Sequence, residues 1–559
     1  MATTIENVIG ASAPANGAAP ASGAWRDLRS HLAELERRGK LVRIKTSINK
    51  DTEMHPLMRW QFRGLPESER KAFLFEKVTD SRGREYSIPV VVGALAASEE
   101  IYVQGLHSAQ TDAYARWQQS IANPIEPEIV ESGAVQEVVH MGDSLLEHGG
   151  LDEFPVPIST PGFDNAPYLN SAIWITRDPE TGIRNAGVYR GMLKSQLRTG
   201  VFNDSYGNTS LIWEKYNRLG QPMPAAAVIG APPAVYYAAI NVAPFGVDEM
   251  GRAGGLAGAP IEMVKCKTID LEVPAWAEIV LEGHIRTDVM EPEGSFGEAH
   301  GYSDPRCLSF TFEITAITHR KNPVFLSIIS QLTPSESSKT KQTGHQTELL
   351  QFLKEKCGLR GVQRVSLTED LLNRQMGVVV LKKSDRYEPM NALYALLTIR
   401  QTPKILVAVD EDIDPENTTM VLWAIINRSQ PHKHFQIIHP RKTQFGPLRY
   451  LEPGSDYDEE DSAVLIDATL KANFPPVALP SKEYMERARE LWGALGLPEL
   501  QPRTPWHGYP LGLWPDENQK EAELAVEGRY YETGAKLVAR QVPTPPGTRL
   551  TELKRHNID

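Results

Sequence analysis

Cysteine is scarce in this chain. Cys266, Cys307 and Cys357 stand far apart and form no C-x-x-C pair, which argues against a disulfide framework and a thiolate zinc site and fits a reducing compartment. Positive charge is also short: the formal net charge is -12, whereas a general nucleic-acid binder needs a basic face to meet phosphates. No apolar run approaches the ~18 residues that span a bilayer. Neither a G-x-G-x-x-G fingerprint nor a Walker pattern occurs, so the usual dinucleotide and P-loop readings do not apply. The opening stretch, Met1 to Gly23, is rich in Ala, Gly, Ser and Pro but lacks a basic head followed by an unbroken apolar core. It reads as a disordered tail over 1–23 rather than a signal peptide. These absences predict a cytoplasmic protein with no nucleic-acid and no membrane partner.

What remains is ordinary globular material in quantity. Hydrophobic residues make up 41% and charged residues 23% of 559 residues, too long a chain for one core, so two or three domains are expected. Residues 24–140 read as an N-terminal α/β domain. There Asp27 can cap a helix carrying Leu28, Leu32 and Leu35 on one face until Gly39 stops it, with strands at Leu41–Ile44 and Ile88–Val92. Residues 141–323 change texture to short β-rich runs, among them Ala172–Thr176, Ala225–Ile229, Ala277–Leu281 and Leu308–Ile317, broken by Gly, Pro and Asp turns. A β-barrel-like central domain follows. Residues 324–480 alternate strand and helix, with strands at Val324–Ile329, Val378–Leu381 and Ile405–Val409 and helices at Gln346–Cys357 and Asn391–Ile399, the pattern of a second α/β domain. Residues 481–559 hold one amphipathic helix, Lys482–Leu495, and a Pro- and Trp-rich stretch around Thr504–Trp514, expected to dock on a neighbouring domain or subunit.

Three clusters in the central domain could carry chemistry. Asn185-Ala-Gly-Val-Tyr-Arg190 places an amide that can ligate a hard cation near a guanidinium that can grip a carboxylate or phosphate. Taken alone, a turn Asn beside a surface Arg is the commoner arrangement. Gly246–Gly258 contains Glu249 and four glycines between Gly251 and Gly258, which would let a looped backbone present N–H groups to an anion; a plain glycine-rich turn is the bland reading. Glu291-Pro-Glu293-Gly-Ser-Phe-Gly-Glu298-Ala-His300 sets two acids around Phe296, a ring expected to pack inward. Packing would draw the acids into low dielectric and raise a carboxyl pKa toward the range useful for proton transfer. His300 reads as a structural hydrogen-bonding residue.

Together, Asn185 and Arg190, the run Gly246–Gly258 leading into Glu262-Met-Val-Lys-Cys266, Val273-Pro with Glu278–Gly283, Pro292–Glu298, Asp410–Asp414 and Val421–Ala424 resemble the UbiD-like decarboxylases, including their ferulate decarboxylase branch. The likeness runs from about Trp25 to Pro480. It implies a three-domain subunit of mixed α/β and β type, with a central split β-barrel that binds flavin between two α/β domains. It implies prenylated FMN, made by a separate flavin prenyltransferase and held through its phosphate by Mn²⁺ (or Mg²⁺) and K⁺. Carried over by motif, Asn185 and Glu249 match metal ligands, Val188 and Tyr189 adjoin the cofactor, and Arg190, Glu293 and Glu298 match the catalytic network. The implied substrate is an aromatic or α,β-unsaturated carboxylic acid, and the implied assembly is a homo-oligomer, dimer or hexamer. That chemistry is coherent: loss of CO₂ from an sp² carbon leaves a carbanion too high in energy to form unaided, and no natural side chain supplies the electron sink. In this scheme Arg190 positions the substrate carboxylate and keeps Glu293 ionised, while Glu298 delivers the proton. One position departs. The family's third metal ligand is a His, and gap-free alignment from Asn185 places Asn208 there. Two other readings compete: an ordinary FMN-dependent oxidoreductase, and a non-catalytic subunit of a multi-subunit aromatic carboxylase.

Overall fold

The structure, a computed structural model, describes residues 25–553 apart from 108–112, 203–206, 368, 370–374, 400–401, 443–459, 472–473, 501, 503–504 and 509–513. The tail expected over 1–23 and much of Thr504–Trp514 lie outside the described residues.

The first helix, Leu28–Arg37, begins where Asp27 accepts from the Ser30 backbone N–H and ends before Gly39, which adopts φ +68°. Strands Leu41–Asn49, Ala72–Thr79 and Val90–Val92 then form a sheet, with Glu85–Tyr86 beside the second. Its far edge is a surprise. Phe325–Ser327 was expected to open the C-terminal sheet but pairs in parallel with Val90–Val92. Val90, Val91, Val92, Phe325, Leu326 and Ser327 are all buried, so this strand satisfies its ladder and both faces only inside the first sheet.

The central sheet runs in the order Tyr168–Leu169, Gly191–Ser195, Arg198–Val201, Cys307–His319, Ile279–Ile285, Met223–Ile229, Ile173–Arg177 and Arg184–Val188, with Val138–Met141 and Glu291–Glu293 also on Cys307–His319. Arg184–Val188 closes one end of that order and Gly191–Ser195 lies near the other, yet only Tyr189 and Arg190 join them. Three peptide steps reach about 11 Å, whereas six strand spacings in a flat sheet would cover about 29 Å. The sheet therefore curls until its ends almost meet, giving a barrel split at Arg190. Trp174 and Phe312 fill it edge to face, 5.0 Å between ring centres.

The third sheet orders Val362–Ser366, Met376–Leu381, Ile405–Asp410, Glu460–Asp467 and Phe435–Lys442. Val379, Leu381, Leu406, Ala408 and Leu465 serve the core on one face, and Val378, Val380, Val407, Val409 and Ile466 the core on the other, as expected of a sheet covered on both sides. The helix expected from Gln346 starts ten residues earlier: it spans Glu336–Gln351 and continues as a π-turn over Phe352–Lys356. Its first turns are Glu, Ser, Lys, Thr and Gln, so they show no apolar stripe, but most are buried. The helices Lys482–Ala494, Asp516–Val526 and Tyr530–Ala539 contain no fully buried residue.

Glu336 ties the first sheet to that polar helix. Fully buried, it accepts backbone N–H bonds from Gly93 (3.0 Å), Leu95 (2.7 Å), Ala96 (3.3 Å) and Ile329 (3.2 Å). Burial still pushes its carboxyl up to about 7, against those four donors. The folded protein thus keeps a proton that an unfolded Glu, at about 4.3, has released, and this group's contribution to stability falls as pH rises from about 4.5 to 7. Urea midpoints measured across that window should decline for the wild type relative to Glu336→Gln. The variant itself should be weaker by about 1–3 kcal/mol, because its amide turns N–H groups toward backbone donors. Parallel pH curves for the two proteins would remove Glu336 from the pH response.

Candidate active site

Arg190 sits at the barrel's seam, 7% exposed. Its Nε donates to Glu293 Oε1 at 3.1 Å, and its Nη1 is in close ion-pair contact with Glu298 Oε1. Nη2 is buried and, among the described residues, has no hydrogen-bond partner. The guanidinium lies 3.9 Å from the centre of the Phe202 ring and 5.2 Å from that of Phe296, so aromatic faces shield the cation without competing for its protons.

Local structure explains how two distant glutamates reach it. Glu293 ends the short strand Glu291–Glu293, opposite Cys307, and Phe296–Gly297 pairs with Ser303–Asp304. What reads in sequence as an irregular turn is two short ladders, with Phe296 packed inward as expected, 4% exposed. Tyr168 anchors the turn by donating to the Gly294 carbonyl at 3.0 Å, its ring 4.5 Å from that of Phe296. Gly200 makes room for the carboxylate, since a Cβ there would stand 2.2 Å from Glu293 Oε2. His300 hydrogen-bonds Asp304 at 3.2 Å.

Burial raises the pKa of Glu298, with the Arg190 charge opposing it. Burial likewise raises Glu293, and outweighs its ion pair with Arg190. Glu293 is therefore shifted up, as inward packing of the two acids predicts, and the pull of Arg190 toward the ionised form is the smaller effect, because a fully buried carboxylate loses more hydration than one shared guanidinium returns. For Arg190 burial works against the charge, yet Glu298 and Glu293 raise its pKa overall. Three groups missed in sequence adjoin the network: Phe202, Tyr168, and Asp164, whose carboxyl burial pushes up to about 6. No motif marks them; only the fold brings them in.

The other candidates gather along the strand Arg184–Val188. Asn185 lies on this strand, nearly buried, and its amide nitrogen donates to Thr209 Oγ1 at 3.0 Å, which leaves its carbonyl oxygen to face a cation. Val188 ends the strand and Tyr189 follows it, receiving a 3.2 Å bond from Thr209 on its hydroxyl. Glu249, 2% exposed, accepts from the Ala186 backbone N–H at 2.8 Å, and burial raises its carboxyl to about 8. Asn208 is the first residue of the helix Asn208–Leu219, and its amide nitrogen donates to the Ala243 carbonyl at 3.0 Å. This donor set of amide oxygens and one buried carboxylate fits a hard divalent ion, which would compensate the otherwise costly burial of Glu249.

The glycine-rich run differs from expectation. It forms the helix Glu249–Ala257, capped by Asp248 through the Met250 N–H at 2.9 Å, and not a loop that cradles an anion. Its glycines serve packing: a Cβ on Gly254 would stand 2.3 Å from the Ile125 carbonyl, and one on Gly255 2.8 Å from Ser120 Cα. Glycine buys this approach at some cost in helix propensity.

Comparison with known proteins identifies the family and the fold. Models of 3-octaprenyl-4-hydroxybenzoate carboxy-lyase match in order: its N-terminal domain over residues 32–121, its Rift-related domain over 128–332 and its C-terminal domain over 341–468. The chain belongs to the UbiD family of carboxy-lyases. The UbiD-class enzyme HmfF from Pelotomaculum thermopropionicum, solved with FMN, is 30% identical, with 83% of this chain and 99% of that one covered and a TM-score of 0.71. Vanillic acid decarboxylase from Sedimentibacter hydroxybenzoicus, in closed form, is 26% identical over 84% of this chain and 99% of that one, with a TM-score of 0.72. An uncharacterized protein of Aquifex aeolicus is 29% identical over 505 residues, 85% of this chain and 99% of that one. The three-domain, mixed α/β architecture of this chain is that of the solved structures. Among the described residues no helix is long and apolar enough to cross a membrane.

Proposed function

We propose that this protein catalyses the reversible, non-oxidative decarboxylation of an aromatic or α,β-unsaturated carboxylic acid with prenylated FMN. The observation that carries this reading is a buried guanidinium held between two raised-pKa carboxyls with one N–H edge unspent. An ordinary FMN oxidoreductase has no use for that arrangement, and a non-catalytic subunit no need of it.

Arg190 Nη2 takes the substrate carboxylate, and the second bond of that grip comes from Nη1 as Glu298 yields. Phe202 and Phe296 keep water from the guanidinium. When the carbon–carbon bond breaks, CO₂ departs and the electron pair stays with the substrate carbon. Glu298, protonated at a higher pH than an ordinary Glu, gives that carbon its proton and is reloaded from solvent; in the carboxylating direction it removes the proton. Glu293 holds the other edge of the guanidinium. Prenylated FMN, supplied by a separate flavin prenyltransferase, provides the electron sink that no side chain offers. Asn185, Asn208 and Glu249 would hold Mn²⁺ or Mg²⁺ at the flavin phosphate with K⁺ nearby, and Val188 and Tyr189 would border the cofactor. The likeness to HmfF, solved with FMN and, in an evolved dimeric form, with prFMN, supports this reading. The exposed apolar residues of the C-terminal helices, including Tyr531 and Val538, suit a contact between subunits of a cytoplasmic homo-oligomer.

Protein co-expressed with a flavin prenyltransferase should show prenylated-flavin absorption and release CO₂ from at least one member of a panel of benzoic and cinnamic acids. A normal yellow FMN band with no CO₂ from any acid would sink the proposal. At the metal, imidazole is a better donor than an amide oxygen to first-row ions. Asn208→His should therefore retain more Mn²⁺ through desalting than the wild type, and Asn208→Ala less. Equal metal content in all three proteins would show that Asn208 is not a ligand.

A further inference from the structure

A second cluster lies on the central sheet, among residues that the decarboxylation chemistry does not use. The strands Val138–Met141 and Cys307–His319 pair antiparallel, with His140 opposite Ile317 and Val138 opposite His319. His140 and His319 are therefore diagonal neighbours on one face of the sheet, and their ring centres are 5.6 Å apart. Both are buried, 5% and 6% exposed. Glu153 closes the short 3-10 turn Gly150–Glu153 and points between them, with Oε1 3.6 Å from His319 Nε2 and Oε2 3.9 Å from His140 Nε2. Those separations are too long for hydrogen bonds, and among the described residues neither Nε2 has a hydrogen-bond partner. Two buried imidazoles thus aim unspent nitrogens at one carboxylate, where unpaired polar atoms call for an explanation.

We propose that His140, His319 and Glu153 bind one divalent transition-metal ion, zinc by the chemistry of the donors, and that this ion clamps the connection 142–153 onto the central sheet. Two imidazoles and a carboxylate are donors that suit zinc, and the candidate ligand atoms all lie within 4.8 Å of one another. Tetrahedral zinc with bonds of about 2.0–2.1 Å sets neighbouring ligands roughly 3.3 Å apart, so the closer pairs need to move only a few tenths of an ångström. One outer nitrogen is already arranged for it. His319 Nδ1 meets the Arg320 carbonyl at 2.8 Å, which puts the proton there and the lone pair on Nε2. His140 Nδ1 faces the Glu147 carboxylate at 4.0 Å. Metal-bound histidines are oriented by bonds such as that of His319 Nδ1, whereas the His140–Glu147 separation is too long for one. Burial lowers the His319 pKa. The fourth position falls to water or to exposed His148, whose ring centre is 4.8 Å from that of His140.

The full-length holoenzyme, already loaded with Mn²⁺, is titrated with Co²⁺ and its visible spectrum followed. Four-coordinate cobalt with nitrogen ligands absorbs strongly, whereas the oxygen-rich flavin site would give only weak octahedral bands. The expected result is strong absorption that saturates stoichiometrically and is displaced by Zn²⁺. His319→Gln and Glu153→Gln should lose it while keeping their Mn²⁺ and flavin content. Weak octahedral absorption alone, or strong absorption retained in folded His319→Gln, would overturn the proposal. The wild-type titration decides the matter even if a variant fails to fold.

Discussion

Glu298→Gln should lower turnover by on the order of 10²–10⁴-fold, the usual worth of a positioned general acid, while flavin and metal content stay unchanged. The substitution keeps the size of the side chain and its place against Arg190 Nη1 but removes the transferable proton. In the decarboxylating direction the protonated carboxyl is the active form, and burial has raised its pKa. Activity should therefore persist to a pH above the ordinary Glu range and fall as pH rises through the shifted value. Steady-state CO₂ release across pH, with flavin quantified by absorbance, checks both points. Turnover within a few-fold of wild type would take Glu298 out of proton transfer.

Arg190→Lys should be nearly as damaging although the charge is kept, with kcat/KM down on the order of 10²-fold or more, the cost of a misplaced reacting group. A lysine offers a point charge, whereas Arg190 engages Glu293 through Nε, Glu298 through Nη1 and has Nη2 in reserve. Two carboxyls buried against a shorter, unforked cation also lose their fixed spacing. Saturation curves for wild type, Arg190→Lys and Arg190→Ala distinguish a grip from a counter-charge: full activity in the lysine form would leave Arg190 only as a local counter-charge.

How far the sequence could be read depended on whether a residue's role is local. The capped helix Leu28–Arg37 and the strands Met223–Ile229 and Ile405–Asp410 follow from neighbouring side chains and caps, and their expected positions fall within two residues of those found. The start of the helix Glu336–Gln351 was not legible, because its buried face is polar and pays no tribute to hydrophobic periodicity. The glycines of Glu249–Ala257 misled for the opposite reason. Glycine in sequence signals a loop, and only the packing against Ile125 and Ser120 shows why a helix carries it.

By itself the sequence determined the family, through several motifs in a fixed order, and with it the residue types that the chemistry requires. The tertiary structure alone decided what those residues can do. The barrel's curl places Arg190 at the seam, against glutamates 103 and 108 positions further on, and burial there raises the pKa of Glu293 as well as Glu298. The pairing of Val138–Met141 with Cys307–His319 likewise brings His140 and His319 to one carboxylate. Desolvation and cross-strand proximity arise between segments far apart in the chain, and neither is written in local residue order.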